Sequence, residues 1–367
     1  MDAGFQSRDY KGVSVNGITS NGSSTSQLNI RGTEDLGGGL KASFRVENDW
    51  NPVSNGINQQ AATYTNSPAQ TSAASTFGNG ELRVGVSGDA FGAVDFGALN
   101  YTSLTALATA TPFGTAIGGG YSKIIKADYN GVAVRSDNSF RYTTPTFSGF
   151  SANVLYSAKQ NKGIVTSGVP STMGPATNAL GYVDQTGVTE LAANYANGPV
   201  AVVASHLVFD RSGVGTNGTG ATSATSVYND SKTTLNTIAG SYTIDALKLG
   251  AMYQTNKGDG ANFVDQKAYA LSATYTMGAL VLMIEAGSLD NRNAVASSTA
   301  GASTVVGKSN LTGLGADYNL SKRTALYARY ETIKDNANLI GAYSTAFSPA
   351  ATGASRSLTA VGVRHNF

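Results

Sequence analysis

An alternating strand closes on a tyrosine, breaks at a tight polar turn and restarts as another alternating strand. This unit occurs four times, at AANYANGP (Ala192–Pro199), AGSYTIDA (Ala239–Ala246), SATYTMGA (Ser272–Ala279) and GADYNLSK (Gly315–Lys322). Alternation sends successive side chains to opposite faces of a strand, so each unit is a hairpin with an aromatic at a fixed height beside its turn. A row of aromatics at one height is what a membrane–water interface selects on a transmembrane β-barrel. Tyr195, Tyr242, Tyr275 and Tyr318 are unevenly spaced, whereas a solenoid or propeller keeps a near-constant repeat. Short turns at one end of a barrel and variable loops at the other produce such spacing.

Composition points the same way. Of 367 residues, 13% are charged, about half the ~25% of soluble domains, yet only 41% are hydrophobic. A helical membrane protein needs runs of about 20 apolar residues; the longest candidate, Met277–Gly287, is shorter and carries Glu285. Strands that are apolar on one face and polar on the other satisfy both numbers. With no cysteine there is no disulfide framework and no thiolate metal site. A net charge of +2 without a basic stripe excludes nucleic acid as an expected partner. The chain opens on MDAGFQSRDYKG, which reads as the end of a strand, with no signal peptide before it. The first strand is therefore expected to be truncated at residue 1.

Along the chain the alternation is explicit. Leu28 and Ile30 oppose Gln27, Asn29 and Arg31; Leu40, Ala42, Phe44 and Val46 oppose Lys41, Ser43, Arg45, Glu47 and Asp49. Val84 opposes Glu81 and Arg83, Phe96 opposes Asp95, and Phe140 and Tyr142 oppose Arg141. The same pattern runs through Leu247–Gln254, Leu280–Ala286, Leu326–Glu331 and Ala360–Phe367, while the faces of Val200–Asp210 are ambiguous. The apolar face meets lipid and the charged face meets water. Long stretches rich in Ser, Thr, Asn, Gly and Ala alternate with the tight turns: Asn51–Asn79, Thr102–Asn138, Lys159–Gln185, Ser212–Asp230, Asn291–Lys308 and Asn336–Ala354. About 16 strands lie between them, an even number as barrels of this kind require. The expectation is an all-β chain: one antiparallel transmembrane β-barrel over residues 1–367, with short periplasmic turns and long extracellular loops. A soluble sandwich or solenoid would also alternate, but its apolar faces would be richer in large side chains.

The segment TSQLNIRGTEDLGGGLKASFRVEND (Thr25–Asp49) resembles the second-to-third-strand hairpin of general porins of the β-proteobacteria. NLSKRTALYARYE (Asn319–Glu331) resembles the family's penultimate hairpin, and VGVRHNF (Val361–Phe367) its closing strand with a terminal phenylalanine. The order of elements matches across nearly the whole chain. The resemblance implies a 16-stranded, trimeric barrel in the outer membrane of a Gram-negative bacterium, with the third long loop folded into the lumen. It also implies that Val363, His365 and Phe367 form the signal read by the barrel-assembly machinery. Two positions depart from the family: Gln27 stands where an arginine is usual and Asn29 where a glycine is usual. The loss of one lumen-facing positive charge argues against a strong anion preference.

A barrel of about 16 strands leaves an aqueous channel, whose selectivity follows bore and charge at the narrowest point. The expected constriction is the loop Thr102–Asn138, with Pro112, Phe113 and Gly114 in its glycine-rich middle. It carries Lys123 and Lys126 and no carboxylate before Asp128. Across from it Arg45, Arg83 and Arg141 are expected, with Arg135 at the loop's end and Glu47, Glu81 and Asp95 as the nearby acids. The function expected is passive passage of small hydrophilic solutes and ions, weakly favouring anions. The bland alternative is that each arginine only pairs with an acid and stiffens the wall. A channel specific for a small anion or organic acid, and an adhesin or phage receptor acting through Asn51–Asn79 and Lys159–Gln185, are the rival functions.

Other signals are weaker. Asp35–Leu40 and Gly114–Gly120 lack the lysine and following helix of a phosphate-binding loop. His206 and His365 are the only histidines and lie on distant strands, so neither an enzyme nor a metal site is expected, and no cofactor. Lipid or detergent, with lipopolysaccharide, are the molecules such a surface meets; a bound Ca²⁺ is compatible with the carboxylates but not derivable from them. Trp50 reads as an interface anchor alongside the four tyrosines.

Overall fold

The computed structural model describes residues 1–10, 13–53, 78–121, 123–126, 134–162, 183–214, 231–259, 264–293, 306–337 and 355–367. Most of the long surface loops read from the sequence lie outside these residues, apart from the one after Asn100.

Period-2 alternation becomes strand almost everywhere it was read. The strands are β1 (Asp2–Tyr10), β2 (Val13–Ser20), β3 (Gln27–Gly37), β4 (Leu40–Asp49), β5 (Leu82–Gly88) and β6 (Gly92–Asn100). After the helix α1 (Thr102–Ala110) come β7 (Arg135–Thr143), β8 (Phe150–Lys162), β9 (Val183–Asn197), β10 (Val200–Val214), β11 (Ser231–Ile244) and β12 (Leu247–Gly258). The series ends with β13 (Asp265–Met277), β14 (Leu280–Asn291), β15 (Gly307–Asn319), β16 (Thr324–Asp335) and β17 (Ser355–His365). Several strands, β8 to β10 among them, run a few residues further into the expected loops than the apolar alternation does.

All pairings are antiparallel and, from β3 to β17, join sequence neighbours within one 17-stranded sheet. β1 then pairs along its whole length with β17 and, on its other side, with β2. These pairings make β2 and β3 run in the same sense, separated by residues 21–26. Among the described residues seventeen strands therefore make sixteen alternating passes, which matches the even count. β1 and β2 close the first and last strands of a barrel, which removes the exposed edges a sheet of this length would present.

The faces sort as physical chemistry requires. Phe44, Val84, Phe96, Tyr156, Leu271 and Ile284 are exposed on the outside, the side that meets lipid, while Glu47, Glu81, Asp95, Glu190, Glu285 and Glu331 point inward and are buried. In β10 the ambiguity resolves: Val203, Ser205, Leu207 and Phe209 are buried and His206 is exposed. The inward face there is apolar because it meets protein rather than water. Among the described residues no helix is long and apolar enough to cross a membrane; the strands do the crossing.

Candidate functional site

The stretch read wholly as loop after Asn100 contains α1 and folds inward. Its core contact is with the inner wall: Ala106, Leu107, Ala110, Ile124 and Ile125 are buried with Val203, Ala239, Met252, Ala268, Ala270, Leu289, Leu311 and Ile333. Alanines on both sides let helix and sheet approach closely, and burial of a side chain the size of Leu107 contributes about 2 kcal/mol. Glycines in the wall serve the same approach. A Cβ at Gly250 would overlap the backbone oxygen of Ala110, and one at Gly313 that of Gly118.

Wall carboxylates hold the inserted chain end to end. Tyr101, the residue before α1, gives no side-chain cap. Glu190 of β9 takes that role: its carboxylate accepts Thr102 N–H at 2.6 Å and Ser103 N–H at 2.9 Å, with Ser205 Oγ at 2.5 Å fixing it in place. Negative charge at a helix N-terminus also suits the helix dipole. At the other end of α1, Ser272 Oγ donates to Ala110 O at 2.5 Å and Thr111 Oγ1 donates to Glu285. Further on, Gly118 and Gly120 both donate their N–H to Oε2 of Glu331 at 3.0 Å. Gly118 has φ +117°, a region that L side chains avoid, and successive N–H groups gathered this way form an anion-binding concavity. Arg356 pairs with the other oxygen of Glu331 at 2.6 Å. Last, Gln254 bridges both backbone groups of Lys126, accepting at 2.9 Å and donating at 2.5 Å. The anchors thus lie on the arc β9–β16.

The expected arginines gather on the other arc, β4–β7. Arg45 pairs with Glu47 and, at 2.8 Å, with Glu81. Arg141 reaches Asp95 at 3.0 Å and Glu81 at 3.7 Å, and Arg83 reaches Asp95 at 3.4 Å. Asn29, one of the family departures, is used here: its Oδ1 accepts from Arg45 Nε at 3.3 Å. Gln27 donates to Glu47 at 3.0 Å and Asp49 at 2.8 Å. Arg135 sits at the return of the loop, donating to Asn100 Oδ1 at 3.0 Å and to the backbone oxygen of Asn79. The ladder is layered. The side chains of Glu47, Glu81 and Asp95 are 3%, 6% and 8% exposed, against 30%, 32% and 17% for Arg45, Arg83 and Arg141. Cations therefore front the lumen and acids lie behind them.

Of the loop residues expected to bound the opening, Pro112 and Gly114 are partly exposed, while Phe113 is buried with the Arg329 guanidinium 5.8 Å from its ring centre. Lys123 is partly exposed and Lys126 is buried. Asp128 lies outside the described residues. Sequence reasoning missed the anchors Glu190, Gln254 and Glu331; the only signal was an acid or amide at an inward position, which parity alone does not tell from a lumen-facing one. Among the described residues no cluster of three or more His, Asp or Glu side chains is placed to hold a metal ion.

Tyr242, Tyr275 and Tyr318 are exposed on the outside, each opposite the residue that opens the preceding strand: Val200, Leu247 and Leu280. Tyr195 faces Phe150 in the same way, with ring centres 4.3 Å apart. The four therefore share one register. Trp50 is partly buried, its backbone N–H donating to Ser26 O at 2.9 Å. Val363 and Phe367 are exposed, and His365 packs edge-on to Phe367 at 4.7 Å and bonds Thr324 Oγ1 at 2.8 Å.

A wide antiparallel barrel with an oily outside and a charged interior narrowed by an inturned loop is a membrane channel. The chain belongs to the Gram-negative porin family, whose family model matches residues 1–338. It is thus an outer-membrane channel and not an enzyme. It is similar to outer membrane porin protein 32 of Delftia acidovorans, at 29% identity over 388 residues covering 99% of this chain and 90% of that protein. An outer membrane porin protein of Bordetella pertussis is 28% identical over 389 residues, covering 100% and 87%. Among solved structures, the anion-selective porin from Comamonas acidovorans shares the fold with a TM-score of 0.66 at 24% identity, over 100% of this chain and 97% of that one. The trimer form of OmpT of Vibrio cholerae matches with a TM-score of 0.58 at 16% identity, over 99% and 98%.

Proposed function

We propose that this porin is a general diffusion channel with a weak preference for anions, and that its narrowest passage runs between the inserted loop and the ladder of Arg45, Arg83 and Arg141. The layering of the ladder carries this reading. With the acids behind, a solute at the wall meets guanidinium first, and low-dielectric walls focus that field into the passage. The near balance of charge keeps the preference weak. An anion-selective porin of the same fold supports the sign. Reversal potentials across a salt gradient in planar bilayers test it: a modest anion-side potential and an ohmic current are expected. A cation-side potential refutes the sign, and a current that saturates with one solute favours a substrate-specific channel instead.

The tyrosine row at 195, 242, 275 and 318 is read as the periplasmic interface girdle, with Trp50 as an anchor nearer the other end. Val363, His365 and Phe367 are read as the contact for the assembly machinery. A homotrimer is supported by the trimeric form of a structural neighbour; outer-membrane lipid covers the remaining outside.

A further inference from the structure

We infer that the sign of selectivity is set by Arg31, Lys41 and Lys248, three unpaired cations on the inner wall between the level of the ladder and the short turns. They make that vestibule an antechamber that collects anions, and they make the conductance depend on the direction of current. The inference rests on the reading of this chain as an anion-favouring pore. It begins with the ladder's own charge. Arg45, Arg83 and Arg141 are matched by as many acids, Glu47, Glu81 and Asp95, and each of the six is engaged in an ion pair. Layering gives such a set a local field at the wall. It leaves almost no net charge to enrich one sign of ion across a Debye length, ~10 Å at 0.1 M salt. That enrichment needs cations with no acid beside them.

Register and parity find three. Arg31 of β3 stands opposite Arg45, so it shares the inward face, and it is exposed. Lys41 lies on the same face of β4 as Arg45, directly after the short turn, and is exposed. Lys248 follows the short turn into β12 and is partly exposed. It shares the inward face of Gly250, the residue against which Ala110 O of the inserted chain rests, and so lies just past the loop on the short-turn side. Among the described residues none of the three takes part in an ion pair. β4 and β12 are half a circumference apart, so the two lysines flank the vestibule from opposite sides. The acids that could cancel them are engaged elsewhere. Asp2 and Asp317 are buried on the inward face of this side; Asp2 accepts from Ser23, Ser24 and Tyr327, and Asp317 pairs with Arg329 at 2.7 Å and Arg364 at 3.6 Å. Asp35, opposite Lys41, is exposed, and its Oδ1 accepts Gly37 N–H at 2.9 Å. The water of this vestibule thus meets a surplus of positive charge, which low-dielectric walls focus along the pore. Anions entering from this end are concentrated ahead of the passage.

The test uses the full folded chain, inserted from one side into planar bilayers of neutral lipid. In 0.1 M KCl, currents at equal and opposite voltages are expected to differ by at least about 1.5-fold, and the difference is expected to vanish at 1 M, where the Debye length is ~3 Å. The variant R31Q/K41Q/K248Q is expected to lose the asymmetry and to bring the reversal potential close to zero, with the heat-dependent gel mobility of the folded form kept as evidence of an intact barrel. Should that variant not fold, K41Q/K248Q, which alters exposed positions beside the short turns alone, must at least halve the excess current. A cation-side reversal potential in the wild type overturns the functional reading and this inference with it. An anion-side potential that the folded triple variant leaves unchanged, or symmetrical wild-type currents at 0.1 M, overturns this inference alone.

Discussion

Arg141 touches two acids, Asp95 and Glu81, and so stands at the junction of the ladder. Truncation to Ala removes a fronting cation and takes one partner from each of two carboxylates at once. The expected result is a reversal potential that moves toward the cation side by more than simple loss of one charge would give. Arg83→Ala, whose guanidinium reaches Asp95 at a longer 3.4 Å, is expected to move it less. Equal shifts would mean that the layering carries no weight. Gln27 and Asn29 belong to the same scale. They depart from the resembling family, yet each is built into the ladder by hydrogen bonds to Glu47, Asp49 or Arg45. Their substitution trades a charge for amides that hold the remaining charges in position.

At the scale of the element, the inserted loop is a separate piece of chain fastened to a prepared wall. Glu331→Ala leaves two backbone N–H groups and Arg356 without their shared carboxylate. Breaking one side of such a buried pair costs about 3 kcal/mol, and noisier, larger single-channel currents are expected as the loop loosens. Gly313→Val acts from the other side: its Cβ meets backbone, which cannot swing away, so the loop must shift as a body and the mean conductance change without added noise. The alternating strands were legible because lipid and water impose opposite demands on adjacent residues. β10 was not, because its inward face meets α1 instead of water. α1 itself was hidden in a run of Ser, Thr and Ala residues, since its cap comes from Glu190, far away in sequence. The arginine ladder could be read from parity alone; the order in which acids and cations stack could not, because parity says which side a residue faces and not how deep it lies.

For the whole molecule, the sheet leaves no strand pair to chance: each pairing from β3 to β17 joins neighbours in sequence, and β1 alone links the two ends of the chain. The seam is reinforced at its base. Asp2 is buried, accepts from Ser23 N–H at 2.6 Å, Ser24 N–H at 2.7 Å and Tyr327 Oη–H at 2.6 Å, and Arg329 reaches Ser23 Oγ at 2.9 Å. Asp2→Ala is therefore expected to lower the temperature at which the folded form is lost in heat-dependent gel mobility by several degrees, with conductance per open channel unchanged. For the assembled form, single-channel records should show steps that come and go in threes; uniform isolated steps would point to a monomer.

The inserted segment rests on one half of the circumference and the guanidinium groups front the other. How large a solute passes and which sign of charge passes more readily are thus inherited on different stretches of sequence. A lineage can narrow the opening by lengthening one segment, or invert its polarity by exchanging a few side chains on the opposite half, and neither change needs the other.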